Sequence, residues 1–303
     1  MHDFSADNMV VYSNVLIKSV WKMNGPAIKL FAMAVSCIDT QNPPKDLTVR
    51  LSKKDIWDMF GLEGVNRGTQ FREHIADLQH QSVIIPLDQS GKRVAHVVPV
   101  PYVEYGTKED DDLVIIRFEQ AIMPYLLDLR GHFTQFQINQ LRGIRGKYAM
   151  ILFQYLTMTI NVKKAQLKDA YRPDKGVSWN LEVPDLRKMT DTVTDYPQFE
   201  RFETWVLKKA LAEINGVYLP IIWKYEKIKS NRKVTQIRFS VRERQSFSDT
   251  EFDRVKPLKA SWEEVAIDQT GIVVLSPELE AVFQGKKPEP PADQFTIDDF
   301  LLQ

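Results

Sequence analysis

Arg201, Thr204 and Lys208 stand at i, i+3 and i+7 in "FERFETWVLKKALAEIN", with Trp205 and Lys209 beside them. At about 100° per residue the three share one side of a helix. Phe199, Phe202, Val206, Ala210 and Ile214, with Leu207 and Leu211, form a wide apolar stripe on the other side. Arginine and lysine donate to guanine edges or phosphates, and threonine meets a base or a thymine methyl. A helix anchored on one face and armed on the other suits the major groove of duplex DNA. Gln198, just ahead of the helix, joins the candidate set. Taken alone, this pattern also fits a solvated surface helix.

The neighbouring segments tip the balance. "KYEKIKSNRKVTQIRFSVRER" reads as a hairpin in which Lys224, Lys227, Lys229, Arg232, Lys233, Arg238, Arg242 and Arg244 face only Glu226 and Glu243. Lys229, Arg232 and Lys233 fall in the expected tip, "KSNRK". Such a wing neutralises phosphates beside the groove and releases counterions. In "LRGIRGKYAM", Arg142, Arg145 and Lys147 flank small glycines, a bend expected to let backbone N–H groups approach a phosphate. A fourth cluster, Arg67, Thr69, Gln70 and Arg72, opens "RGTQFREHIADLQHQ", where Gln70 suits adenine and Glu73 cytosine.

Charge supports the same partner. The 303-residue chain is formally neutral, yet residues 131–245 hold 21 Lys+Arg against 11 Asp+Glu. Residues 1–130 hold 14 against 17, and residues 246–303 hold 5 against 12. A central segment at net +10 attracts polyanions whatever the average. Nothing approaches the roughly 20 apolar residues of a membrane span, and the N-terminus lacks a signal-peptide pattern. The single cysteine, Cys37, sits in the apolar run "LFAMAVSCI" and reads as core. A reducing cytoplasm and no membrane partner are expected.

Catalysis finds little support. There is no GxxxxGK[ST] phosphate loop. His74 and His80 are six residues apart, which is not ligand spacing on a helix. "EDDDL" reads as a solvated loop, and no His-hydrophobic-His pair stands ready to hold a metal beside a nucleophilic tyrosine. No catalytic residue, metal or cofactor is expected, and the chain is not expected to be an enzyme.

The elements that must position these residues recur. "GPAIKLFAMAVSCID" predicts a buried helix, "LTVRLSKKDIWDMFG" a strand and a helix capped by Ser52 with Asp55, and the Phe71, Ile75, Leu78 stripe a longer helix. Strand-like runs follow from Ser82 to Arg117. The order then repeats: helix from "FQINQLRGIRGKYAMILFQYLTMTI", strand and helix in "WNLEVPDLRKMTD" with Pro184 in the first turn, the helix from Phe199, and the hairpin. The expected fold is α+β: two tandem winged-helix domains over residues 8–128 and 129–245, then an acidic, largely flexible C-terminal tail over 246–303. The first domain is expected to serve dimerisation and accessory DNA contact, the second to be the main DNA-binding module.

"FTQFQINQLRGIRGKYAMILFQYL" followed by "FERFETWVLKKALAEINGVYLPIIWKYEKIKSNRKVTQIRFSV" resembles the initiator Rep proteins of iteron-containing, theta-replicating bacterial plasmids. Gly146, Lys147, Tyr148, Leu152, Phe153 and Leu156 match the segment that opens the family's second winged helix. Val206, Leu207, Ala210, Glu213, Ile214 and Asn215 match the motif of its recognition helix. The resemblance covers roughly residues 8–242, more strongly in the second module. It implies binding to direct repeats in double-stranded plasmid origin DNA, duplex opening, recruitment of the host replication initiator and helicase, and a monomer–dimer equilibrium in which the dimer represses its own gene. Two winged helices on successive major grooves would span roughly 20 bp. A tandem winged-helix transcriptional regulator without a replication role is the alternative.

Overall fold

A computed structural model describes residues 4–245 except 40–42, 44, 45, 89–91, 109, 110, 128, 130, 131 and 218, together with residues 266, 267, 273 and 274. The expected acidic tail otherwise lies outside the described residues. Within it β12 (Ala266–Ile267) pairs antiparallel with β13 (Val273–Val274).

The first winged helix is built around α2 (Gly25–Ser36), whose residues are buried almost without exception. Asn24 caps it by accepting the Ala27 N–H at 2.9 Å. Strand β3 (Thr48–Ser52) leads into α3 (Lys53–Phe60), where the Ser52 hydroxyl accepts the Asp55 N–H at 2.9 Å and donates to its carboxylate at 2.7 Å, as the capping signal predicts. Helix α4 (Arg67–His80) buries Phe71, Ile75 and Leu78.

Two hairpins follow where one winged helix needs only one. Strand β4 (Ser82–Pro86) pairs with β5 (Val94–Val97) and with β2 (Val20–Lys22). Strand β3 instead pairs with β7 (Leu113–Arg117), the partner of β6 (Tyr102–Tyr105). The later hairpin is therefore the wing of this module.

The second module repeats the plan with a single hairpin. Helix α5 (Lys147–Leu167) precedes β9 (Val177–Glu182) and α6 (Val183–Met189), which carries Pro184 in its first turn. In the hairpin, β11 (Lys233–Glu243) lies between β10 (Ile221–Ser230) and β9. Its turn is tighter than the five-residue tip expected. Ser230 pairs with Lys233, leaving only Asn231 (φ 48°) and Arg232 (φ 67°) in the turn. Two positive φ values give the type I′ geometry that matches the strand twist.

Between α6 and the hairpin runs a composite helix: α-helical Phe199–Phe202, π-helical Glu203–Lys208, then α-helical Lys209–Gly216. Its fully buried positions are Phe202, Val206, Leu207, Ala210 and Ile214, and all but Leu207 recur every four residues. On an ideal α-helix such a repeat drifts by about 40° per step, and the wider π turn keeps it facing the core. Regular α periodicity does not reveal that segment.

A division after residue 128 would part β8 (Phe133–Gln137) from its partner β1 (Met9–Ser13), which opens the first module. Helix α5 serves both modules, packing on α1 (Asn14–Lys18) and α2 as well as on the composite helix. One continuous hydrophobic cluster runs through both.

Candidate nucleic-acid interface

The composite helix presents the expected face. Arg201, Thr204, Lys208 and Lys209 are exposed, and Trp205 is 46% exposed although large and apolar. The Lys209 ammonium lies 3.8 Å from the Trp205 ring centroid, a stack that stiffens this edge. Gln198, exposed at the N-cap, accepts the Phe202 N–H through its carbonyl at 3.1 Å. Glu203, which the periodicity left unassigned, is buried in the π segment. It accepts from the Tyr225 hydroxyl at 3.0 Å and from the Lys227 ammonium at 3.1 Å, tying the helix to wing strand β10. Burial, then the Glu203 carboxylate, pushes the Tyr225 phenol well above the usual tyrosine range.

At the wing tip Lys229, Arg232 and Lys233 are all exposed. The remaining hairpin cations are not a uniform stripe. Lys227 neutralises Glu203, and the Arg238 guanidinium donates to Asn180 at 3.1 Å. Arg242 is buried beneath the turn at Gly176, whose missing Cβ would fall 2.5 Å from that of Arg242. Arg244 donates to the carbonyls of Asn215, Val217 and Leu219, closing the end of the composite helix. Arg242 and Arg244 are thus structural and do not belong to a phosphate-facing wing.

The segment before α5 corrects another expectation. The Arg145 and Gly146 N–H groups do point at an anion, but it is the Glu213 carboxylate of the chain itself, at 2.5 to 3.1 Å. A Cβ at Gly146 would stand 2.7 Å from the Glu213 Oε2, so a side chain there would push that carboxylate aside. Asn215, two residues on, exchanges hydrogen bonds with the Trp223 backbone at 2.7 and 3.1 Å. The two polar residues of the "EIN" ending are therefore staples. Arg142 pairs with Asp58 of α3 at 2.5 Å, and Lys147 with Asp191 at 3.3 Å. Asp191 also takes Lys22 of the first module at 2.5 Å, so these charges join the modules. The Arg145 side chain is exposed.

In the first module Thr69, Gln70 and Arg72 are exposed on α4, with the Thr69 hydroxyl accepting from Arg72 at 3.1 Å. Arg67 is half-buried, its guanidinium 4.4 Å from the Trp57 ring centroid. The His74 ring packs tilted against Phe60 with centroids 4.7 Å apart, and burial pulls its pKa down. Arg67 and Gln70 share one groove of about 770 Å³ with Arg142 and Arg145, residues that the sequence assigns to separate domains. Lys29, Lys54 and Trp57 also line it, and nothing in their local pattern signals that role. Among the described residues no group of three or more His, Cys, Asp or Glu is placed to hold a metal ion. No described helix is long and apolar enough to cross a membrane.

These features define a tandem winged-helix protein with a polar helix face, a basic wing tip and a basic groove between modules. Residues 9–157 match the family model "Initiator Replication protein, WH1" and residues 182–241 match "Initiator Rep protein, WH2". The chain belongs to this family of replication initiators. The first match runs into α5, the helix both modules share.

A replication initiation protein from Escherichia coli is 21% identical over 114 residues, 38% of this chain. The match spans about a third (33%) of the length of that relative. The Pi initiator protein, solved in complex with iteron DNA, has the same fold with a TM-score of 0.62 at 17% identity. That likeness covers 80% of this chain and all of the other.

Proposed function

We propose that this protein is a plasmid replication initiator that binds direct repeats in double-stranded origin DNA. The observation that carries the proposal is the anchored composite helix. Its core face is buried and Glu203 ties it to wing strand β10, while Arg201, Thr204 and Lys208 stand exposed on the same helix. Family membership and the iteron DNA of the Pi complex support the same ligand.

The composite helix enters a major groove, and Lys229, Arg232 and Lys233 neutralise the flanking phosphates. Helix α4 takes a second groove one turn away through Thr69, Gln70 and Arg72. The protein acts in the bacterial cytoplasm by binding and assembly, without bond chemistry or a cofactor. Binding promotes duplex opening, engages the host initiator and helicase, and in a dimeric form represses the protein's own gene.

Footprinting of the purified protein on the DNA flanking its gene tests this. The expected result is protection of several direct repeats, each of roughly two helical turns. Protection of one inverted repeat alone would refute the initiator role and leave a transcriptional regulator.

A further inference from the structure

The groove between the modules holds donors that the protein itself leaves underused. Lys29 of α2 is 3% exposed. Its ammonium donates to the Arg142 carbonyl at 3.2 Å and stands 5.4 Å from the Phe60 ring centroid. An ammonium carries three donors, so one carbonyl and an aromatic face satisfy it incompletely. The Trp57 indole N–H, also at the groove, is buried without a hydrogen-bond partner among the described residues.

Lys54, Arg67, Arg142 and Arg145 complete a lining of five cations, in which the carboxylates among the described residues are Asp58 and Glu63. Asp58 is already committed to Arg142. Glu213, outside the lining, offsets the burial of Lys29 only in part; buried donors are rarely left idle, and a buried cation short of counter-charge is costly. An anion seated in the groove resolves both.

We propose that this groove is a phosphate-binding site, with Lys29 and the Trp57 N–H on its floor and Lys54, Arg67 and Arg145 at its rim. The ligand is a phosphate ester, and the position between α3 and α4 of the first module and the segment of residues 142–145 that leads into α5 favours a backbone phosphate of the duplex crossing from one module to the other. That source rests on the DNA-binding function proposed above. A free phosphate or nucleotide offers the same chemistry.

The site carries a proton signature. Burial pulls Lys29 down to about 8, Glu213 opposes that, and Arg145 and Arg142 add to it. His74 of α4 is the other titratable group acting with Lys29. A bound phosphate restores the ammonium charge, so binding near pH 9 takes up a proton.

The test uses the full chain, its Lys29→Met variant, and Lys54→Ala, which alters only an exposed rim position. Duplex affinity is measured against salt, and binding heat at pH 9 is compared in buffers of different ionisation enthalpy. Pyrophosphate is the probe for the free ligand, read as a shift in melting temperature. Each substitution is expected to lower the slope of log K against log salt by about one unit. Proton uptake is expected to vanish in Lys29→Met.

If pyrophosphate raises the melting temperature of the parent alone, while duplex slopes match in all three proteins, the site stands and its ligand is a free phosphate. The same pyrophosphate result with a parent that binds no duplex overturns the DNA function but keeps the site. Unchanged slopes, unchanged proton uptake and no pyrophosphate effect in the parent overturn the proposal.

Discussion

Glu213 offers the sharpest test of how the second module is assembled. Its carboxylate accepts N–H groups from Arg145 and Gly146, 68 and 67 residues away, at the start of α5. Gly146 is the N-cap of α5 and supplies no side-chain cap of its own. Replacing Glu213 with Ala orphans these donors at the head of the helix around which both modules pack. A hydrogen bond to a charged group is worth about 1.5–3 kcal/mol, and an anion at a helix N-terminus about 0.3–1 kcal/mol. Glu213 is only half-buried and water reaches part of the site, so Glu213→Ala is expected to cost about 2–3 kcal/mol. Glu213→Gln keeps one acceptor oxygen and is expected to cost about 1 kcal/mol.

Urea unfolding followed by circular dichroism measures both losses. Duplex binding at several salt concentrations supplies the control, and its slope should not change in either variant. If Glu213→Ala keeps full stability and gains a steeper salt slope, the amides were waiting for a phosphate and the anchoring argument fails.

Further consequences can be checked on the same material. Arg201→Ala and Lys208→Ala should each lose roughly 1–3 kcal/mol of specific duplex affinity with little change in nonspecific binding; unaltered affinity in both would mean that the reading face lies elsewhere. Arg232 occupies a left-handed conformation at φ 67°, so Arg232→Gly should stabilise the fold by about 1 kcal/mol. The same change should lower the DNA salt slope by about one unit, and a loss of stability would contradict the turn geometry. Lys29 is depressed from its ordinary 10.5 to about 8, so between those values the folded chain binds fewer protons than the unfolded chain. Stability should therefore rise as pH rises through that window, and Lys29→Met should flatten the rise on a urea-midpoint profile.

Much of the local architecture was legible. The Ser52 cap, Pro184 in the first turn of α6, and the Phe71, Ile75, Leu78 stripe all occur as their short patterns predict. The exposed set Arg201, Thr204 and Lys208 also followed from the apolar stripe opposite it. These are properties of neighbouring residues, and helix period and capping depend on nothing further away.

Other features have no local signature. Alternation along β11 gives Arg238 and Arg242 to the face opposite Ile237 and Phe239, yet only the distant turn at Gly176 decides that Arg242 is covered. The π segment arises because the core asks for a repeat of four and because Glu203 meets Tyr225 and Lys227 on another element. Strand β3 could have joined either following hairpin, and its pairing with β7 is decided by the packing of the module.

The sequence by itself determined the tandem plan, the armed helix face and the basic wing tip, because periodicity and charge act over a few residues. Tertiary structure alone decided which cations remain for a ligand. Arg244 closes a helix, Lys147 and Arg142 join modules, and Glu213 fills the amide site that a phosphate was expected to take. A charge acquires its role from the group that meets it, and most of those groups lie tens of residues away.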